Sequence, residues 1–213
     1  MALNSKVCVV VGASAGIGRA IALRFGQEGA KIIRRLGVMR LRSIWTLQIT
    51  KKIDILVYAS DIFTYSLITN KLFEDWHSMI ATNCQGLVDV VGSVFAEMRS
   101  KNLTGNIVVI SSDAGRVPFP GFLRSLRLES KPNEIVITSI QPGDVATPAQ
   151  QWTTDTEAAQ LFSPLHRPPE ECQKAWETML KPQQVAEAVL FAVSQPKGTA
   201  INEVLIEPIT GPV

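Results

Sequence analysis

Glycines at positions 12, 16 and 18 are the residues of this sequence best suited to hold a charged ligand. They follow Val7-Cys-Val-Val-Val11, five apolar and mostly β-branched residues that read as a buried parallel strand. Apolar residues at 17, 20, 21 and 25 then recur at helical spacing. A strand, a glycine turn and a helix start together make a place for a phosphate. The first helical N–H groups lack partners there, the helix end carries partial positive charge, and glycine lets a pyrophosphate approach the backbone. The candidate binding residues of the turn are Gly12, Ser14, Ala15, Gly16, Ile17 and Gly18. The spacing is Gly-x-x-x-Gly-x-Gly, without the Gly-Lys-Ser/Thr ending of a nucleoside-triphosphate loop. Such turns also serve as plain connectors, but the strand before and the helix after favour a dinucleotide site.

Bulk properties remove other classes. A net charge of +2 is too small for a nucleic-acid or acidic-membrane binder. Cys8, Cys84 and Cys172 are scattered, and with only His77 and His166 beside them they show no zinc spacing, so no metal site is expected. The first residues lack the apolar run of a signal peptide, and no unbroken apolar run reaches a membrane span. The expectation is a cytoplasmic chain of one domain, residues 1–213.

Further elements must position the turn. Strands are expected over 30–33, 53–58, 106–111, 135–140 and 201–207, with helices over 73–101, 123–130 and 182–193. Residues 147–169 are polar and proline-bearing and read as a surface lid, in which Trp152 and Phe162 would pack. Strands alternating with helices imply an α/β fold with a doubly wound, mainly parallel sheet.

Gly12-Ala-Ser-Ala-Gly-Ile-Gly18, Asn83, Ile110-Ser-Ser112-Asp-Ala-Gly115 and Gln141-Pro-Gly143-Asp-Val-Ala-Thr147 occur in the order and on the elements of a known family. The chain resembles the classical short-chain dehydrogenase/reductases over nearly its whole length. That resemblance implies a Rossmann-type domain binding NAD(H) or NADP(H), with hydride passing to or from a carbonyl or secondary alcohol. It assigns the substrate-binding serine to Ser112 and the water-relay asparagine to Asn83, and cofactor contacts to Pro142, Gly143, Val145 and Thr147. It also implies homo-oligomers, which a shortened helix at the family interface puts in question.

Three departures accompany the resemblance. The family's Tyr-x-x-x-Lys, whose lysine lowers the tyrosine pKa, has no counterpart after Ser112. The sequence runs instead into Leu123-Arg-Ser-Leu-Arg-Leu-Glu-Ser130, so the helix after the Ser111-Ser112 strand should be short. Tyr58 and Tyr65 are the only tyrosines, and neither has a lysine four residues on. Between Ala30 and Ile53 the chain is too short for two strands and two helices, which implies a missing edge strand. Arg34 and Arg35, part of a cluster with Arg40 and Arg42, lean the cofactor preference to NADP(H) if they are more than a solvated face. Third, Tyr58-Ala-Ser-Asp61 stands where the family has Asn-Asn-Ala-Gly, which puts bulk and charge beside the cofactor.

Both gaps leave the family pattern intact on either side, as loss of whole coding blocks from an ordinary reductase gene would. A locus without coding blocks for the missing stretches would contradict that origin. The expected function is a short-chain oxidoreductase of impaired activity. The alternatives are a non-catalytic nucleotide binder that pairs with an intact homologue, and an inactive product.

Overall fold

A computed structural model of the chain describes residues 2–35, 52–113, 120–148, 154–166 and 168–209. Six strands form one parallel sheet: β1 (Val7–Val11), β2 (Lys31–Arg35), β3 (Ile55–Tyr58), β4 (Gly105–Ile110), β5 (Ile135–Pro142) and β6 (Glu203–Ile206). Their order across the sheet is β2-β1-β3-β4-β5-β6. Alternate strand residues face opposite layers. Cys8, Val10, Ile55, Val57, Val108 and Ile140 pack beneath helices α1 (Gly16–Gln27) and α6 (Pro182–Val193). Val9, Val11, Leu56, Tyr58, Ile107, Val109 and Ile137 pack beneath α2 (Phe73–Ser100) and α3 (Pro120–Ser130). Burial on both faces explains why these strands are continuously apolar.

The doubly wound parallel sheet is as the sequence implies, with shifted boundaries. The second strand runs to Arg35 rather than ending at residue 33, so Arg34 and Arg35 lie at its C-terminal end opposite Val10 and Val11. No strand borders β2 on its outer side among the described residues. Residues 36–51, with Arg40 and Arg42, lie outside the described residues, as does Trp152. The short helix after β4 starts at Pro120 and spans 11 residues. The expected lid contains helix α4 (Thr156–Phe162), and helix α5 (Pro169–Thr178) follows it. Their sparse apolar residues hide the helical period in the sequence.

Helix α2 is long and apolar enough, by length and composition alone, to cross a membrane. Here its Leu87, Val91, Val94, Phe95 and Met98 lie against the sheet. Residues Ile80–Gln85 form a π-helical turn within it. The wider turn leaves the Thr82 carbonyl to accept a hydrogen bond from the Tyr58 hydroxyl at 3.0 Å.

Candidate active site

Strand order reverses at β1, whose neighbours β2 and β3 lie on opposite sides, and ligands of such sheets bind at the C-terminal strand ends beside that switch. The glycine turn lies there. Gly12 has φ +81°, and a Cβ on it would collide with the Ala59 carbonyl. A Cβ on Gly18 would likewise collide with the Gly12 carbonyl, so helix α1 closes directly onto the turn. Ala15 is the extended N-cap residue, and no side chain caps the helix, whose first turn carries no acidic residue. Ser14 and Ala15 are exposed, whereas Ile17 packs on the core and fixes the helix start. The described structure thus has the open N–H groups and missing side chains that a pyrophosphate needs.

The second wall comes from the end of β5. Pro142 pairs with Ile206, and the Gly143 N–H donates to the Ile206 carbonyl at 2.9 Å. Val145 then bridges to Leu180, where the Leu180 N–H donates to the Asp144 carbonyl and the Ala146 N–H donates to the Leu180 carbonyl. This pins Thr147 beside the glycine turn: a Cβ on Gly16 would stand 3.2 Å from Thr147 Cγ2. Residues 131 positions apart in sequence therefore pack against one another at the C-terminal end of the sheet. Arg34 is exposed at the β2 end of the same sheet edge.

Ser112 follows β4. Its hydroxyl donates to Asp113 Oδ1 at 2.8 Å, and the Asp113 N–H donates to the Pro142 carbonyl at 3.0 Å. The serine is thereby linked to the β5 wall. Asn83 lies in the π-helical turn, where its Nδ2 donates to the Ile62 carbonyl at 2.8 Å and its Oδ1 accepts from the Ile62 N–H at 2.9 Å. Both ends of the amide hold the strand-end loop, so in this structure Asn83 positions main chain.

Tyr58 is almost fully buried, at 2 % exposure. Burial, then the nearby Asp61, Cys84 and Asp89, push its phenol above the ordinary tyrosine value. It is a core residue. Tyr65 stands edge-on to Phe63 and His166, with ring centroids 4.9 and 6.3 Å away. Asp61, two residues past the Ala59 carbonyl that abuts Gly12, is exposed to solvent yet has protein packed around it. That enclosure raises its carboxyl above the usual carboxylate range.

One anchor has no sequence signal. Asp155 caps α4 by accepting from the Ala158 N–H, and also accepts from the Leu67 N–H and Asn70 Nδ2, at 2.8–3.0 Å. The Ala158 bond first, then the Leu67 bond, hold its carboxyl below the usual range. An Asp-x-x pattern before a helix announces a cap. Nothing in it announces partners 85 to 88 residues upstream. Among the described residues no cluster of metal-ligating side chains occurs.

Fold and cradle together define a Rossmann-type dinucleotide-binding architecture. The chain belongs to the short chain dehydrogenase family, whose family model matches residues 43–158, more than half of it. It is 30% identical to glycine betaine reductase ATRR of Emericella nidulans over 99% of this chain, but it spans only 19% of that protein's length. An uncharacterized oxidoreductase of Staphylococcus saprophyticus is 25% identical, with 97% of each chain covered. Against ATRR the match runs over 256 positions, so at least 43 of them have no residue in this chain of 213. In fold the chain is similar to ligand-free aldohexose dehydrogenase of Thermoplasma acidophilum, at TM-score 0.77 and 23% identity over 99% and 98% of the two chains. It is also similar to the closed form of serine dehydrogenase complexed with NADP+, at TM-score 0.72 and 25% identity over 97% and 96%.

Proposed function

We propose that this chain binds NAD(P)(H) across the cleft and is an oxidoreductase of impaired activity toward a carbonyl or secondary alcohol. The meeting of Gly16 with Thr147 carries this reading, because it makes one groove of a phosphate cradle and a second wall. Gly12, Ser14, Ala15, Gly16, Ile17 and Gly18 hold the pyrophosphate by backbone N–H groups. Pro142, Gly143, Val145 and Thr147 flank the nicotinamide end, and Arg34 and Arg35 favour NADP(H). When bound, the cofactor supplies or accepts a hydride.

In this reading the Ser112 hydroxyl holds the substrate oxygen, and Asn83 steadies the loop beside it. The impairment rests on the proton. The sequence has two tyrosines, and the Tyr58 hydroxyl is committed to Thr82 in the core. Loss of a positioned general acid costs about 10²–10⁴ in rate. The free thiols, with Cys8 buried, fit a cytoplasmic, reducing setting.

Titration of the purified chain with NADPH and NADH, followed by nicotinamide fluorescence and thermal shift, tests the cofactor site. Silence at millimolar cofactor removes it. Steady NADPH oxidation with a panel of ketones and quinones at ordinary family rates would overturn the impairment. A second reading, a nucleotide binder without chemistry that pairs with a longer homologue, draws support from the 43 or more aligned positions that have no residue here. Binding without turnover, together with co-purification of the homologue, would favour it.

A further inference from the structure

We propose that Asp61 sets the affinity of the nucleotide cleft, opposing an anionic pyrophosphate when ionised and admitting it when protonated. The inference rests on the cofactor reading above and concerns which state of the chain that site accepts.

Asp61 is placed by contacts on both sides of it. The backbone at Ala59 and Ser60 lies so close to Gly12 that no side chain fits between them. Asn83 holds the residue after Asp61, Ile62, by its N–H and its carbonyl together. The backbone that carries Asp61 is therefore held in place when an anion enters beside the glycine turn. It is accessible to solvent but surrounded by protein, so water screens it less than it would a surface charge.

The neighbouring groups do not offset its charge. Among the described residues, the Tyr58 phenol at the end of β3 interacts with Asp61, and Cys84 and Asp89 of α2 act on that same phenol. The phenol is neutral and hydrogen-bonded to Thr82, and Asp89 is a further anion. Among the described residues no cation forms an ion pair with Asp61, and its one hydrogen bond is to its own backbone N–H. Asp61 thus directly follows the backbone that abuts the phosphate cradle, and among the described residues no cation pairs with it. Because its carboxyl is raised by burial, the repulsion is relieved at a higher pH than it would be for an ordinary carboxylate.

NAD+ is the probe, because its pyrophosphate keeps its charge as the pH is lowered from about 8 toward the carboxylate range. Calorimetric titration of the full chain is compared with Asp61→Asn and Asp61→Gly, each checked for native circular dichroism. Removing one enclosed like charge should tighten NAD+ binding about tenfold at pH 8. The advantage should shrink as the pH falls, because the wild-type affinity rises to meet that of the variants. Equal affinities of wild type and both variants at pH 8, or a wild-type affinity independent of pH, would overturn the role of Asp61 and leave the cofactor site standing. Failure of all three folded proteins to bind at any pH would overturn both.

Discussion

At Gly12 the backbone must take φ +81° while the Ala59 carbonyl occupies the space of a side chain, so substitution strains the turn and fills the cleft together. Gly12→Val should weaken NADPH binding by more than about tenfold and lower stability by about 1–2 kcal/mol, read by fluorescence titration and urea unfolding. Asp155 carries a different kind of information. Its carboxyl is depressed in the folded chain, so the ties it makes persist above the unfolded carboxylate range and fail as pH falls through the folded value. The amide proton shifts of Leu67 and Ala158 should therefore titrate below about pH 3.9, the ordinary aspartate value. In Asp155→Asn they should not titrate with that midpoint. The glycines were legible because their chemistry is local to a strand–turn–helix. The reach of Asp155 was not, because Leu67 and Asn70 come near it only through the fold.

Among the elements, α3 is the one whose shortness matters most, and one of its side chains ties it to two strands. Arg127 donates from Nε to the Ile137 carbonyl at 3.0 Å and from Nη2 to the Asn202 carbonyl at 2.6 Å, and pairs with Glu203 at 3.2 Å. It thus joins α3 to β5 and β6. A helix of 11 residues is marginal alone and depends on such ties. Arg127→Ala should lower the unfolding free energy by about 2 kcal/mol, measured as a lower urea midpoint with unchanged slope. The π-helical turn of α2 is a second such element. Replacing Asn83 by Ala frees the Ile62 main chain and should cost about 1 kcal/mol, with faster amide exchange confined to the loop after β3. The central strands were legible because burial on both faces demands continuous apolar residues. The π-helical turn was not: its sequence, Ile80-Ala-Thr-Asn-Cys-Gln85, reads as ordinary helix, and only the hydroxyl of Tyr58 gives the displaced carbonyl a partner.

Across the whole molecule, acid should act on several anchors together. Asp54 sits at the opposite end of the sheet from the cleft. Burial would raise its carboxyl, but Lys52 at 2.7 Å, the Val7 N–H and Lys6 outweigh that and hold it low. Asp155 and Glu28 are also depressed. Each contributes stability above the ordinary carboxylate range and loses it as pH falls through its folded value. Thermal unfolding temperature should thus be level near neutrality and fall below about pH 4, and Asp54→Asn should flatten the fall. Grafting a relative's Tyr-x-x-x-Lys segment between Ser112 and α3 should raise NADPH-dependent turnover by about 10²-fold if the proton donor is what is lacking.

By itself the sequence determined the family, the parallel α/β order and the phosphate turn, because these follow from local periodicity and from residue types adjacent in the chain. It also determined that no tyrosine with a lysine four residues later is present. The tertiary structure decided the rest. It placed Thr147 against Gly16 through the Val145–Leu180 bridge, buried Tyr58 with its hydroxyl on the Thr82 carbonyl, and set the backbone leading to Asp61 against Gly12. Those outcomes depend on distances between residues remote in sequence, and sheet and helix packing alone sets them.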